Sequence, residues 1–477
     1  MIQTIRNIFS IPDLRRRVLF TLVMLFVYRI GAHIPTPGVN VAALEAFFEQ
    51  NRGTIFGFLD IFSGGNFRRL TIFALGIMPY ITSSIILQLL TVVWPYLEKL
   101  QKEGELGRRK ITQWTRYLTV VLSAIQSIGI ALALMRPSGT NSQSFVANPG
   151  WGFVLMTMIT LTTGTAFIMW LGEQISERGI GNGMSLIIFA GIVVGLPKAI
   201  EEIYHKVFTT QEWGFLVLVM LLAVMMAVVA FIVLVERGER RIPVQYAKRV
   251  IGRKVMGGQS THLPLRVNTG GVIPVIFASS ILTFPQTLGI VFTSRSTDPN
   301  TLAGQIGRGF QALFDALKWG EPLYTLLYVV GIIFFGYFYV SIIFNPTEVA
   351  DNMRKYGGFI PGIRPGKNTA EHINRILTHI TFVGGLYLAL ISVIPEWMIA
   401  GIHLHHLPGG LGRFVDDHFP RFVLEGLGVN FYFGGTSLLI VVGVAMDTVN
   451  QVEAQLIMRH YEGFTPKSGR IRGRRGY

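Results

Sequence analysis

The chain contains no cysteine, and only 14% of its 477 residues are charged. Without cysteine, neither a disulfide nor a thiolate metal site is possible. Enzyme signatures are also missing, since neither H-E-x-x-H nor G-x-S-x-G occurs. The nearest phosphate-loop pattern, "GGFIPGIRPGKN" at 357–368, has Pro361 where a Walker motif needs glycine and Asn368 where it needs Ser or Thr. These absences argue against an enzyme.

Long apolar runs with almost no charge dominate the remaining sequence. A run of about 18 or more such residues is typical of a membrane-spanning helix. A large water-soluble core would instead need helices with one polar face. The sequence therefore predicts an all-α polytopic membrane protein with ten transmembrane helices, at 18–34, 70–94, 117–135, 151–171, 180–197, 214–235, 270–293, 323–344, 376–394 and 431–446.

The net charge of +15 is concentrated in alternate connections between the predicted spans. Thirty of the 42 Lys and Arg residues lie at 1–17, 95–116, 172–180, 236–268, 345–375 and 458–477. The positive-inside rule places these segments, and both termini, in the cytoplasm. Eight cations in 236–268 exceed what a topology signal needs, so this loop is also predicted to bind a partner. The first apolar run lacks a cleavage-site pattern and is expected to be retained as a span.

One short pattern occurs twice, in "ALGIMPYITSSIILQLL" at 74–90 and in "GGVIPVIFASSILTFP" at 270–285. At a constant offset of 195, Gly76, Pro79, Ile81 and Ser84 match Gly271, Pro274, Ile276 and Ser279. Five spans lie on each side of about residue 205, so the second half would be inverted relative to the first. The predicted units are an N-terminal half 1–200, a C-terminal half 201–460 and a basic tail 461–477. The alternative for each repeated segment is a kinked helix inside a bundle.

Few ionisable residues lie in the predicted spans, which argues against an ion-coupled carrier. An ion-coupled carrier normally needs such groups inside the bilayer, and only Arg29, His379 and Asp447 are present. The spans carry isoleucine pairs at i, i+4 instead, at 81 and 85 and at 188 and 192. Branched apolar side chains can close a pore by dewetting, whereas the alternative is ordinary helix packing. An inverted-repeat solute carrier remains the runner-up function.

Two further segments have open interpretations. Residues 54–67, "TIFGFLDIFSGGNF", are apolar but too short for a span, which favours either a re-entrant or an interfacial segment. The extracytoplasmic loop 396–430 contains His403, His405 and His406. Their spacing is irregular, so an exposed loop is favoured over a metal site.

Several long motifs closely resemble the bacterial SecY family of protein-translocation channels. They are "ALGIMPYITSSIILQLLTVV", "ERGIGNGMSLIIFAGI", "YAKRVIGRKVMGGQSTHLPLRVN", "FIPGIRPGKNTAEHI" and "YFGGTSLLIVVGVAMD". The resemblance implies two inverted five-helix halves around an hourglass pore, passage of unfolded secretory proteins, and lateral release of transmembrane segments. No cofactor, metal or catalytic residue is implied.

The resemblance also implies residue roles, each carried over by position. The pore ring would be Ile81, Ile85, Ile188, Ile192, Ile276 and Ile440. Segment 54–67 would be the plug, with Phe56, Phe58, Ile61, Phe62, Gly64 and Gly65. The lateral gate would comprise Ser83, Ser84, Gln88, Thr91, Gln126, Asn268, Ser279, Ser280 and Phe284. Partner docking would use Arg241, Lys248, Arg249, Arg253, Lys254, Arg354, Lys355 and Arg364.

The expected partners follow from the same resemblance. They are small membrane subunits resembling SecE and SecG, a cytoplasmic ATPase motor resembling SecA, the ribosome through its RNA, secretory preproteins with signal sequences, and membrane lipid. The expected location is the cytoplasmic (inner) membrane.

Overall fold

A computed structural model describes residues 11–50, 60, 63–135, 145–209, 215–246, 249–251, 254–256, 260–282, 321–400 and 435–462. Helices make up most of these residues. The helices of the N-terminal half are α1 (Pro12–Gly31), α2 (Val41–Gln50), α3 (Met78–Val93), α4 (Pro95–Lys102), α5 (Glu105–Leu134), α6 (Trp151–Arg178), α7 (Gly183–Val194) and α8 (Leu196–Tyr204). A π-helical turn, His205–Thr209, follows α8.

The C-terminal half continues with α9 (Phe215–Arg237), α10 (Ile273–Leu282), α11 (Pro322–Ile343), α12 (Pro346–Lys355), α13 (Lys367–Ala400) and α14 (Gly435–Glu462). Its strands are β1 (Glu239–Tyr246), β2 (Arg249–Ile251), β3 (Lys254–Met256), β4 (Ser260–Arg266) and β5 (Gly358–Phe359). Each of the ten predicted apolar runs overlaps one of the helices α1, α3, α5, α6, α7, α9, α10, α11, α13 and α14, and α5, α13 and α14 extend well beyond their runs.

Five helical stretches in the described part of the chain are long and apolar enough to cross a membrane. A sixth arises if α3 and α4, which meet at a 100° bend, count as one broken span. Proline at the first turn starts several helices without the loss of a hydrogen bond, because the first backbone amides of a helix have no partner within it. Asn182 caps α7 by accepting a bond from the amide of Met184 at 3.1 Å.

Two predicted spans have different limits in the structure. The second was expected from residue 70, but turns occupy the residues before Met78, where α3 begins. Left-handed Gly76, with a φ of +56°, ends those turns next to the helix start. The fifth was expected to reach residue 197, but α7 ends at Val194 and α8 follows after Gly195.

The large basic loops, which carried no strand prediction, form a small sheet. Its order is β4–β1–β5, and all pairs are antiparallel, with Ile242 opposite Leu263 and Gln245 opposite Phe359. β5 comes from the loop at 345–375, so the two loops share one sheet. Ile242 packs with Leu265, Ile360 and Ile373 of α13 in a common apolar cluster. The sheet is therefore fixed to the end of a transmembrane helix.

Candidate pore and lateral seam

The six predicted ring isoleucines come together in the structure. Ile81 and Ile85 lie on α3, two more lie on α7, and α10 and α14 contribute one each. All six are buried, with exposed fractions between 0 and 7%, and all belong to one apolar cluster. The cluster therefore joins helices of both predicted halves. Branched apolar side chains around a pore can exclude water and ions, so this packing is compatible with the predicted ring.

The repeated Gly-x-x-Pro pattern has the same backbone conformation before α3 and before α10. Gly76 has a φ of +56° and Gly271 a φ of +59°. Each glycine precedes the first helical residue by two positions, and a proline is the second residue of each helix, α3 and α10. Left-handed φ favours glycine, and proline fits the first helical turn. The Gly-x-x-Pro pattern thus ends a turn and starts a helix, so the alternative of a kink within a helix is wrong.

At the seam between α3 and α10, serine hydroxyls form hydrogen bonds to backbone carbonyls of their own helix. The Ser83 hydroxyl donates to the carbonyl of Pro79 at 2.7 Å, and the Ser279 hydroxyl donates to the carbonyl of Ile276 at 3.0 Å. Such bonds remove the cost of a buried hydroxyl. Ser280 reaches across to α3, with its Oγ 4.0 Å from the Sδ of Met78. The start of α3 is therefore in direct contact with the C-terminal part of α10.

The remaining seam residues of α3 form a short chain along the helix. The Gln88 amide donates to the Ser84 hydroxyl at 3.3 Å, and the Thr91 hydroxyl donates to the carbonyl of Gln88 at 2.6 Å. The Oε1 of Gln88 is buried without a hydrogen-bond partner. Gln126 is half-buried on α5. Phe284 lies outside the described residues.

A family model named SecY matches residues 71–449. The protein translocase subunit SecY of Escherichia coli K12 is 49% identical over 460 residues, which cover 96% of this chain and 95% of the relative. The subunit of the same name from Aquifex aeolicus is 41% identical over 465 residues, covering 97% and 99%. The chain belongs to the SecY family.

Solved channels share the fold of this SecY-family chain. One structure of a protein conducting channel gives a TM-score of 0.59 at 16% identity, covering 95% of both chains. A second gives 0.60 at 17% identity and the same coverage; it concerns a SecY protein whose plug domain stabilises the closed state and maintains a membrane seal. The predicted polytopic membrane fold is confirmed. The SecY-family chain is a pore-forming subunit for protein translocation and not an enzyme.

Asn268, one of the predicted gate residues, precedes the seam helix α10. Its amide donates to the Oε1 of Glu236 on α9 at 2.6 Å and to the carbonyl of Gly271 at 3.1 Å. A bond to a carboxylate is stronger than one between neutral groups. Asn268 therefore ties the turn before α10 to the preceding span, a contact that the sequence did not predict.

Of the predicted plug, 54–67, the structure describes residue 60 and residues 63–67. Gly64 and Gly65 have φ values of +72° and +80°. A Cβ on Gly64 would lie 2.7 Å from the Cα of Gly191 on α7, so only glycine allows this approach. Gly191 lies between the ring residues Ile188 and Ile192, which places the end of the segment next to the ring. Phe56, Phe58, Ile61 and Phe62 lie outside the described residues, as do His403, His405 and His406.

A buried polar cluster beside this segment was not predicted. The side chains of Asp60 and Arg68 are 9% and 15% exposed and form an ion pair with Oδ2 and Nε 3.8 Å apart. The buried Asn66 amide donates to the hydroxyl of Tyr28 on α1 at 3.2 Å. The only signal in the sequence was an aspartate inside the apolar run "FGFLDIF", because an ionisable residue in such a run marks a candidate functional site.

The predicted docking residues that the structure describes lie on β1, on the β2–β3 hairpin and in the loop that carries β5. Arg241 on β1 is exposed, as are Arg354, Lys355 and Arg364 in the other loop. Arg249 and Lys254 lie on the β2–β3 hairpin. Lys248 and Arg253 lie outside the described residues. Because β5 pairs with β1, cations of two loops that are far apart in sequence are held near one sheet.

Proposed function

We propose that the six isoleucines form the ring through which an unfolded polypeptide crosses the membrane. The observation that carries this proposal is their convergence, from four helices of both halves, into one buried cluster. An apolar ring binds no particular side chain tightly, so it can widen to let polypeptides of many different sequences pass. Ring closure by branched apolar residues would keep ions out between transport events.

The seam between α3 and α10 is proposed as the lateral gate. The contact between Met78 and Ser280 supports this assignment because it joins the two halves next to the ring. The hydroxyls of Ser83 and Ser279 bond within their own helices. The seam can therefore part without stranding these groups, and a transmembrane segment can leave through it into lipid. The pattern occurs twice because two antiparallel helices build one seam.

The chain is proposed to lie in the cytoplasmic membrane with both termini and the β4–β1–β5 sheet in the cytoplasm. The charge distribution supports this orientation. Exposed cations around the sheet fit ribosomal RNA phosphates or an acidic surface of a motor. Two channels of the same fold are described in ribosome complexes, Sec61 from a canine source and the yeast Ssh1 complex. Small membrane subunits resembling SecE and SecG and a motor resembling SecA complete the proposed set of partners.

A photo-crosslinking residue at Ile81, and separately at Ile276, tests the pore. Matched controls are Val121 on α5 and Leu386 on α13, which are 54% and 53% exposed on apolar surfaces. In living cells, both ring positions are expected to attach to secretory precursors only while export is active, and the control positions are not. Capture of no polypeptide at either ring position, with protection by a small molecule, would favour a solute carrier instead.

A further inference from the structure

Thr21 is a polar residue inside the apolar run of α1, and its hydroxyl links two parts of the chain that are 159 residues apart. Thr21 is 8% exposed. Its hydroxyl donates to the carbonyl of Arg17 at 3.0 Å and accepts from the backbone amide of Ile180 at 3.1 Å. Thr115 on α5 is equally buried and also donates to the carbonyl four residues earlier at 3.0 Å. In the part of the chain that the structure describes, only Thr21 of these two also accepts an amide from another element.

The amide of Ile180 belongs to residues 179–182, here called the α6–α7 turn, and a second hydroxyl holds the other end of this turn. The Ser176 hydroxyl donates to the carbonyl of Gly172 at 3.0 Å and accepts from the amide of Gly183 at 2.9 Å. A Cβ on Gly183 would overlap the carbonyl oxygen of Gly172, so α6 and α7 are in backbone contact here. The start of α7 is therefore fixed by bonds to both α1 and α6.

The C-terminal half packs against the same turn from another side. Ile180 is 4% exposed and shares an apolar cluster with Leu14 of α1 and Val452 of α14. Gly181 has a φ of +87°, and a Cβ there would lie 3.3 Å from the Oγ1 of Thr448 on α14. The amide of Ile180 is thus enclosed by protein. Without its hydroxyl acceptor on α1 it would be a buried donor without a partner, which is unfavourable.

The α6–α7 turn leads directly to two of the predicted ring residues. α7 begins at Gly183, and Ile188 and Ile192 lie in its second and third turns. A helix rises about 1.5 Å and turns about 100° per residue. A slip of α7 by one residue would therefore move both isoleucines by about 1.5 Å along the helix axis and bring Phe189 to the place of Ile188. The position of the turn decides which side chains of α7 reach the ring.

We propose that Thr21 is a positioning residue for the ring, which acts by fixing the α6–α7 turn through the amide of Ile180. The turn in turn sets the height and rotation at which α7 presents Ile188 and Ile192. This inference rests on the proposed pore. Apolar packing along α7 is non-directional and does not fix its rotation, whereas hydrogen bonds have preferred distances and angles. Ser176 contributes less, because it is exposed and water can replace its hydroxyl.

The first measurement is amide hydrogen exchange at residues 180–184 in the purified channel complex. Thr21→Val keeps the shape of the side chain but removes the acceptor. Exchange at these amides is expected to rise about tenfold, which corresponds to a change of about 1.4 kcal/mol in local opening. Thr21→Ser keeps a hydroxyl and is expected to exchange close to the wild-type rate. Thr115→Val is the matched control and is expected to leave exchange at 180–184 unchanged.

The second measurement is capture of a secretory precursor in living cells by a photo-crosslinking residue at Ile188 and, separately, at Phe189. In the otherwise unchanged protein, capture at Ile188 is expected to exceed capture at Phe189. Thr21→Val is expected to lower the ratio of the two about threefold or more, because α7 then populates rotated positions. Thr21→Ser is expected to restore the ratio, and Thr115→Val to preserve it. A merely structural role would reduce the amount of channel without changing this ratio.

The outcomes distinguish the positioning role from the pore. Wild-type exchange in a folded Thr21→Val variant, or faster exchange with an unchanged capture ratio, overturns the positioning role and leaves the pore intact. Absence of capture at Ile81, Ile188 and Phe189 in the otherwise unchanged protein overturns the pore itself. Should Thr21→Val not assemble, Ser176→Ala loosens the same turn at lower cost. Its capture ratio is then expected to fall, and an unchanged ratio despite faster exchange overturns the proposal.

Discussion

The starts of α3 and α10 have the same backbone but are held by different chemistry. In both, a left-handed glycine is followed by a helix whose second residue is proline. Before α3, the chain bonds to the segment after α1, with the amide of Ile72 donating to the carbonyl of Ile34 at 3.0 Å. Before α10, the amide of Val267 donates to the carbonyl of Gly238, just after α9, at 2.9 Å. Each turn is thus tied to the first span of its own half.

The side chains that strengthen these ties differ between the halves. Asn66 reaches the neutral hydroxyl of Tyr28 on α1, whereas Asn268 reaches the carboxylate of Glu236 on α9. The two asparagines do not correspond at the 195-residue offset. The repeat has therefore kept the backbone of the helix start and its attachment to the first span. The atoms that make the attachment have diverged.

Substitutions around the two helix starts test this comparison, and the largest loss of stability is expected from Asn268→Ala. This change leaves the half-buried Glu236 carboxylate and the carbonyl of Gly271 without their amide partner. Hydrogen bonds to charged groups contribute about 1.5–3 kcal/mol, so the free energy of unfolding should fall by about that amount. Thermal unfolding of the purified protein, followed by tryptophan fluorescence, measures it. Glu236→Gln keeps an acceptor and should cost less; equal losses in the two variants would show that the bond does not hold the turn.

A smaller and symmetric effect is expected from Gly76→Ala and Gly271→Ala. Neither change meets a steric clash, since the nearest atom to a Cβ on Gly76 is 3.8 Å away and none lies within 4 Å at Gly271. The cost is then that of left-handed φ in a residue with a Cβ, about 1–2 kcal/mol at each position.

Gly336→Ala on α11 is the control, because it also has open space but helical φ. It is expected to be neutral or stabilising by up to about 1 kcal/mol. If only one of the variants Gly76→Ala and Gly271→Ala loses stability, the left-handed glycine does not constrain the two helix starts equally.

The spans could be predicted from the sequence because transmembrane helices are apolar along their whole length. The repeat also predicted that α3 and α10 are counterparts. The sheet was missed because β1, "ERRIPVQY", is mostly exposed, with only Ile242 and Val244 buried. The partners of Asp60 and Asn268 were missed for a different reason. Such pairs depend on which turns meet in space, and one sequence without known contacts does not specify that.

The positions of the predicted ring residues and the functions assigned to them are two separate questions. The structure brings the six ring isoleucines together, as the resemblance implied. Their function as a pore, and those of the gate and docking residues, remain predictions.

The smallest effect is expected at the second charged contact beside α10, between Arg266 and Asp447. Their Nη1 and Oδ1 atoms are 3.7 Å apart, but the side chains are 50% and 57% exposed. Exposed pairs contribute about 0–1 kcal/mol and weaken with salt, so Asp447→Asn should lower the free energy of unfolding by less than about 1 kcal/mol. Raising the ionic strength should remove that difference but leave most of the Asn268→Ala loss, because the Asn268 bond is short and shielded. A loss at Asp447 as large as that at Asn268 would mean that α14, and not only α9, holds the start of α10. The tie to the first span would then no longer be the main constraint on the start of α10.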